Sequence, residues 1–276
     1  MAHVDLHMHT VHSDGLATPA EMAARARDLG LAGIALTDHD TVAGVPEGRA
    51  AAAEAGIEFL SGTEISTVFE DTEVHVVGLG FEITHEPLLA ALEHLRAGRA
   101  TRAHGILVKL RGLGLPIETE RVEARAHPGA IGRLHIAMEL RALGCISTAQ
   151  EAFNRFLNPG LPAFVPKVLI PAAEAIRLVQ ESGGLAFIAH PGLSPNTRRL
   201  LPRLLELPID GIEAYHISHS PARTKEYLAL AKQRRLLVSG GSDCHGGAKG
   251  ARELGKVRVP IEHLTALRAA LAQRNS

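Results

Sequence analysis

The chain has 276 residues, 46% of them hydrophobic, with 16 His, 2 Cys, no Trp, 3% aromatics and a formal net charge of -1. That length accommodates one large domain or a body with a small insert. Near-neutral charge argues against broad charge-driven duplex binding, and the scarcity of aromatics argues against a base-stacking platform for single strands.

From the N-terminus, Met1-Ala2-His3-Val4-Asp5 has no basic region followed by an apolar stretch, and no run approaches membrane-spanning length. The expectation is a soluble cytoplasmic protein with no membrane association and no obligatory protein partner. A strand is predicted over His3–His9, with Val4, Leu6 and Met8 on one face and Asp5, His7 and His9 on the other. Thr18-Pro19-Ala20-Glu21 reads as a capping box opening a helix that stops near Gly30. A short apolar strand over Gly33–Asp38 leads into Thr37-Asp38-His39-Asp40, and an Ala-rich helix ends at Gly56.

Further strands are predicted at Ile57–Ser61, Val74–Leu79, Leu185–Ala189, Gly211–Ala214 and Leu236–Ser239, with helices such as Pro171–Ser182 and Pro221–Arg234 between them. Strand-helix alternation with near-continuous apolar strands predicts an α/β fold with a parallel sheet covered by helices. Seven strands with polar residues at one rim suggest a closed, barrel-like arrangement. The exception is the stretch of about a hundred residues between Gly80 and Gly184, far longer than one crossover helix needs. Its patterns are helical, at Glu86–Leu113, Arg133–Leu143 and Thr148–Phe156, and residues 97–167 read as an inserted helical subdomain between body segments 1–96 and 168–276. From Arg96 to Lys167 there are 11 Lys/Arg against 5 Glu and no Asp, so this stretch is about +6 and the remainder about -7. A basic insert that greets phosphate and solvated helix-surface arginines are both compatible with that count.

Nine residues able to bind metal fall where predicted strands end: His7, His9, Asp14, His39, Glu64, His75, His190, Asp243 and His245. His7 and His9 on one strand face stand about 6.5–7 Å apart along the strand, close enough to converge on a cation. Asp14 precedes Gly15 and is equally a turn signature. His39 ends a buried strand among carboxylates that are costly to bury without a cation, and Asp38 could orient a ligand from behind rather than bind metal. Glu64 could bridge two ions. Pro191 stops an apolar strand and presents His190, and Gly240-Gly241 lets the backbone turn closely before Asp243 and His245. Cys145 and Cys244 form no C-x-x-C pair, which excludes a thiolate zinc finger; Cys244 reads as packing. A His/Asp/Glu set without thiolates suits manganese, iron or zinc.

With these motifs in hand, the chain resembles the PHP (polymerase and histidinol phosphatase) superfamily. Asp5-Leu6-His7-Met8-His9-Thr10, Ser13-Asp14-Gly15, Thr37-Asp38-His39-Asp40, Gly62-Thr63-Glu64, His75, Ala189-His190-Pro191 and Gly241-Ser242-Asp243-Cys244-His245 look like its successive motifs. The resemblance implies a distorted (β/α)7 TIM-like barrel with three divalent ions, Mn2+ foremost and Fe2+ or Zn2+ as alternatives. It places His7, His9, Glu64 and Asp243 on one ion. Glu64 would bridge to a second held by His75 and His190, and Asp14, His39 and His245 would hold the third. The insert is similar to the branch of nucleoside 3′,5′-bisphosphate phosphatases and related 5′-to-3′ exoribonucleases. Arg133-Leu134-His135, Lys167 and Tyr215-His216-Ile217-Ser218-His219 resemble that branch's substrate-facing motifs.

The expected reaction is phosphomonoester hydrolysis, with a hydroxide shared by two ions as nucleophile. Arg133, His135 and Lys167 would neutralise the phosphoryl oxygens, and His216 and His219 are candidates for phosphate contacts and for the general acid. The expected substrate is a small phosphorylated nucleotide such as adenosine 3′,5′-bisphosphate, with short 5′-phosphorylated single-stranded RNA as an extension. Histidinol phosphate phosphatase and a non-catalytic metal-binding module remain the rival readings.

Overall fold

The computed structural model describes residues 2–129, 131–247 and 254–276. Strand β1 (His3–Asp5) is followed by helix α1 (Pro19–Asp28) and strand β2 (Gly33–Ala35). The predicted capping box is formed: the Glu21 amide donates to Thr18 Oγ1 at 3.1 Å, and the Thr18 amide donates to the Glu21 carboxylate at 2.7 Å. Helix α2 (Val45–Ala55) ends on Gly56 at φ 69, a left-handed position that glycine takes without a Cβ clash, and feeds β3 (Glu58–Leu60). α1 and α2 seal β2 with Met22, Ala23, Ala26, Ile34, Leu36 and Ala52 in one buried cluster.

The next two strands depart from expectation. β4 (Gly62–Phe69), which the sequence pattern did not predict, and β5 (Thr72–Leu79) form an antiparallel hairpin in register from Gly62–Leu79 to Phe69–Thr72. The turn is Glu70-Asp71, with φ of 47 and 59. Two left-handed turn residues match the twist of an antiparallel pair, and so short a connection permits no parallel partner. Neither residue is glycine or asparagine, so the usual hairpin signature is missing.

Helices α3 (Glu86–Gly112), α4 (Thr119–Ala126), α5 (Arg133–Ala142) and α6 (Ala149–Ala152, continuing into a π turn at Phe153–Leu157) come next. α3 straddles the boundary expected at residues 96/97. Leu88, Leu92 and Leu95 of its first half pack in the core of the larger sheet. Ala103, Ile106, Leu107 and Leu110 of its second half join Val122, Ile136, Leu140 and Leu157 in a separate core. Then follow β6 (Ile170–Pro171), α7 (Ala172–Glu181), β7 (Leu185–Ile188), α8 (Pro195–Leu204), β8 (Gly211–His216), α9 (Pro221–Arg234), β9 (Leu237–Gly241), β10 (Val259–Pro260) and α10 (Ile261–Arg274).

The strands make two sheets, ordered β10-β1-β2-β3 and β6-β4-β5-β7-β8-β9. Most pairs are parallel, but β5 is antiparallel to both β4 and β7, and β10 is antiparallel to β1. The expected all-parallel sheet is corrected accordingly. Nor, among the described residues, do the ladders close into one continuous barrel: between the sheets, pairing shrinks to two parallel bridges, Met8 with Cys244 and His39 with Glu64. Residues of both sheets, among them Val4, Leu60, Val77, Leu185 and Phe187, nevertheless share one buried cluster with Leu264 and Leu267 of α10. Among the described residues, no helix is long and apolar enough to cross a membrane.

Candidate metal centre and phosphate pocket

One inter-sheet bridge joins two candidate donors, His39 and Glu64, and the other, Met8 with Cys244, is flanked by His7, His9, Asp243 and His245, so this is where the polar side chains gather. β1 proper ends at Asp5, two residues before His7. From there the backbone is held by neighbours on both sides: the Asp243 amide donates to His7 O at 2.9 Å and the Thr37 amide to Met8 O at 2.9 Å. His7 and His9 are fully buried and their rings lie 5.3 Å apart. Asp40, His190 and Asp243 all adopt positive φ (55, 26 and 52), a costly conformation for non-glycine residues that clusters at functional sites. At Gly241 a Cβ would collide with the His7 backbone and Asp5 Oδ1, so β9 can lie this close only as glycine.

Glu64 sits at the middle. Its Oε1 lies 2.5 Å from His75 Nδ1 and 2.7 Å from His190 Nε2; its Oε2 lies 3.1, 3.2 and 3.4 Å from His39 Nδ1, His9 Nε2 and His7 Nε2. Asp243 Oδ1 is 3.2 Å from His9 Nε2 and 3.5 Å from His245 Nδ1. Asp14 Oδ1 is 3.1 Å from His245 Nε2 and 3.9 Å from His39 Nε2. All nine predicted donors therefore converge.

Their grouping is less separable than the predicted three-ion partition. His9, Asp14, His39 and His245 form one set of mutually close donors, and His7, Glu64 and His190 a second. A third is His7, His9 and Asp243, and a fourth His39, Glu64 and His75. His7, His9, His39 and Glu64 each belong to two.

The donors fit divalent cations. Ligands held about 2.0–2.2 Å from one ion stand roughly 3.0–3.5 Å from each other, the spacing of Glu64 Oε2 from His39, His9 and His7 and of Asp243 Oδ1 from His9 and His245. Buried His7 Nε2, both ring nitrogens of His9 and His39 Nδ1 have no hydrogen-bond partner, so hydrogen bonding does not account for their convergence. Burial pushes the Glu64 carboxyl up, but the imidazoles of His39, His75 and His7 outweigh it and hold it well below the usual range. Burial keeps His39 well below the ordinary imidazole value, which favours the neutral form that ligates. Cys244 faces Met8, Met22 and Leu254 in an apolar cluster, and burial pushes its thiol up.

Two carboxylates support the donors from behind. Asp38 accepts from the Thr10 amide (2.7 Å), Thr10 Oγ1 (2.6 Å) and Ser13 Oγ (2.5 Å), pinning the loop that carries Asp14. Glu213, which the sequence reading missed, accepts from His7 Nδ1–H at 2.9 Å and from the His190 amide at 2.6 Å. A lone Glu in the otherwise apolar run Gly211-Ile212-Glu213-Ala214 was the available signal. His7 thereby presents Nε2 to the cluster.

Beside Asp14, His39 and His75 opens a cavity of about 280 Å³, whose far wall carries Arg99, Arg102, Arg133 and Lys167. Arg133 and Lys167 reach the cavity as expected, although Lys167 Nζ also pairs with Glu73 at 2.7 Å. Arg99 and Arg102 were missed; one helical turn of α3 separates them. His135 does not line this cavity. Its Nδ1 accepts the Gly132 amide at 3.0 Å, which spends that nitrogen on the start of α5. His216 and His219 are not brought to it either. His219 Nε2 accepts the Gly192 amide at 3.1 Å and its Nδ1–H donates to Ala214 O at 2.9 Å, so both nitrogens are spent tying the turn after His190 to β8. His216 Nδ1 lies 2.6 Å from Ser218 Oγ and its Nε2 is 3.4 Å from Asp243 Oδ2, on the donor cluster instead.

A convergent N/O donor set opening on a cationic pocket defines a metal-dependent hydrolase of phosphate esters. A family model described as PHP domain matches residues 5–109. The chain is 35% identical over 263 residues to a 3′,5′-nucleoside bisphosphate phosphatase of Chromobacterium violaceum, covering 92% of this chain and 91% of that one. It is 38% identical over 256 residues to a 5′-3′ exoribonuclease of Haemophilus influenzae, covering 91% and 93%. A solved structure described as a metal-dependent phosphoesterase of Bifidobacterium adolescentis superposes with a TM-score of 0.89 at 32% identity, covering 98% and 96%. The chain belongs to the PHP family and is a phosphoric ester hydrolase; membership implies divalent metal ions.

Proposed function

We propose that the protein removes the 3′-phosphate of nucleoside 3′,5′-bisphosphates, converting adenosine 3′,5′-bisphosphate to AMP and phosphate, and trims short 5′-phosphorylated RNA by the same chemistry. The observation that carries this reading is the shared wall: His39, His75 and Asp14 of the donor cluster and the cations Arg99, Arg102, Arg133 and Lys167 face one cavity. Relatives bearing the bisphosphate phosphatase and exoribonuclease names, at 35% and 38% identity, support the substrate class. The nine donors, all N or O, would hold three divalent ions, manganese ahead of iron or zinc. Bound there, such ions supply acidified water and polarised phosphoryl oxygens. Glu64 stays ionised at the junction of the donor groups, Glu213 fixes the His7 tautomer, and Arg133 and Lys167 neutralise charge on the phosphoryl group.

We read the two sheets as one distorted (β/α)7 barrel joined at Met8–Cys244 and His39–Glu64, with residues 97–167 as the substrate cap. The separate core of that segment supports this reading. The test is a panel of adenosine 3′,5′-bisphosphate, adenosine 3′-phosphate, 5′-phosphorylated RNA and histidinol phosphate with manganese-loaded protein. Highest kcat/KM on the bisphosphate is expected. A preference for histidinol phosphate, or no turnover of any ester by fully loaded protein, would overturn the proposal.

A further inference from the structure

Glu213 and His216 of β8 both meet members of the donor set, although they stand three residues apart. On an unbroken strand an odd spacing sends two side chains to opposite faces. Strand β8 is not unbroken: Glu213 is registered with Ser239 of β9 and Tyr215 with Gly240, so Ala214 is an extra residue on the β8 side. Such a bulge re-aims the side chains beyond it, here at the rim of the metal centre. Glu213 therefore meets His7, and His216, opposite Gly241, meets Asp243.

The His216 ring is buried, its centroid 5.2 Å from that of His190 and 6.1 Å from that of His7. A neighbour fixes which of its nitrogens carries the proton. The Ser218 amide donates to Nδ1 at 3.2 Å, and an amide N–H cannot accept, so Nδ1 is bare. Ser218 Oγ, 2.6 Å from the same nitrogen, can add a second donor. The neutral ring then carries its proton on Nε2, a buried atom without a hydrogen bond of ordinary geometry. Nε2 faces Asp243 Oδ2 at 3.4 Å, about 0.2 Å beyond the usual N–H···O range. A buried N–H left unpaired is costly, which favours closing that gap. Ligation of a cation through Nε2 would need the proton on Nδ1, setting donor against donor at the Ser218 amide.

Asp243 is thus divided between two surroundings. Its Oδ1 lies 3.2 Å from His9 Nε2 and 3.5 Å from His245 Nδ1, among the donors, while Oδ2 is turned to His216. The geometry points to His216 as a positioning residue of the metal centre: its Nε2–H holds Asp243 Oδ2 and leaves Oδ1 to the cation. Hydrogen bonds of this kind fix the orientation of a ligating carboxylate. His216 thereby has a duty other than the phosphate contact or general acid expected from the sequence. The inference rests on the metal-dependent hydrolase class and not on which ester is cleaved.

The test compares wild type with His216→Gln, His216→Asn and His216→Phe. Glutamine can bring its NH2 near the Nε2 position and keep a donor for Asp243. Asparagine reaches only the Nδ1 position, so it can satisfy the Ser218 amide but not Asp243. Phenylalanine keeps the ring shape and neither nitrogen. Competitive chelator titration of manganese should show one ion bound about 10- to 100-fold more weakly in His216→Asn and His216→Phe, with His216→Gln recovering most of that loss. Full affinity in His216→Asn would reduce His216 to a brace of its own turn and overturn the inference. So would an affinity in His216→Gln no better than in His216→Phe. Melting in saturating metal separates weak binding from poor folding, and if His216→Phe does not fold, His216→Gln against His216→Asn decides. Nitrogen NMR of labelled imidazoles in zinc-loaded wild type, with His216 assigned by its loss in His216→Gln, should show Nε2 protonated and Nδ1 bare. The reverse tautomer, or zinc on Nε2, would overturn it. If wild type binds no divalent ion, the hydrolase reading falls and this inference with it. If ions bind with equal affinity in every variant, this inference alone falls.

Discussion

Replacing Glu213 by Gln should weaken metal binding by an order of magnitude or more without unfolding the protein. The carboxylate serves two donors, His7 Nδ1–H at 2.9 Å and the His190 amide at 2.6 Å. An amide of the same shape has one oxygen and one NH2, and so satisfies only one of them. If the oxygen stays on His190, the NH2 faces His7 Nδ1, and the imidazole must move its proton to Nε2. That atom points at Glu64 and Asp243 from 3.4 and 3.9 Å, and once protonated it cannot ligate. If the oxygen turns to His7 instead, an N–H opposes the His190 amide at a residue already held at φ 26. Either outcome forfeits a charge-assisted hydrogen bond of about 1.5–3 kcal/mol, roughly 10- to 150-fold in affinity. The assay is competitive chelator titration of manganese with stoichiometry counted per chain, and unfolding in saturating metal confirms the fold. Affinities within twofold of wild type for every bound ion would refute the reasoning.

His39→Ala removes a donor shared by two groups and should abolish phosphate release while circular dichroism stays native; near wild-type turnover would contradict its role. Arg99→Met should cost about 3 kcal/mol, because Asp40 is fully buried and would keep only its two Ser66 hydrogen bonds. A Tm within 2 °C of wild type would count against that. Burial pushes the Asp40 carboxyl up, but Arg99 and Lys167 outweigh it, so its pKa is lower folded than unfolded. Its stabilisation is therefore present above the ordinary carboxylate pKa of 3.8 and is lost as pH falls through the lower folded value. Arg99→Met should flatten that acid limb of the stability curve, as followed by denaturant melts from about pH 5 down to about pH 2. Gly241→Ala forces a Cβ into the His7 backbone and should lower both Tm and metal stoichiometry; a native-like variant would show that β9 can shift.

Most of the candidate donors were legible because they announce themselves locally, although Asp14 before Gly15 reads equally as a turn. His7 and His9 alternate on a strand, His190 precedes a proline, and Asp243 and His245 follow two glycines. Strand-helix alternation likewise exposed the α/β class, since periodicity reports which face of an element is buried whatever its partner. The β4–β5 hairpin was not legible, because Glu70 and Asp71 hold left-handed conformations without a glycine to signal them. Nor were the supporting pairs. Glu213 meets His7 across 206 positions and Arg99 meets Asp40 across 59, and no local pattern encodes such distances.

What the amino-acid order determined by itself was which residues could ligate a cation and the strand-helix alternation around most of them; the strand that carries Glu64 was not part of it. Only the folded chain decided how those residues are used. It placed Glu64 among five imidazoles, turned His135 and His219 to brace backbone amides, and brought Arg99 and Arg102 of α3 to the cavity beside the metal donors. Donor chemistry belongs to a side chain, whereas partners, burial and unpaired charge belong to the packing around it.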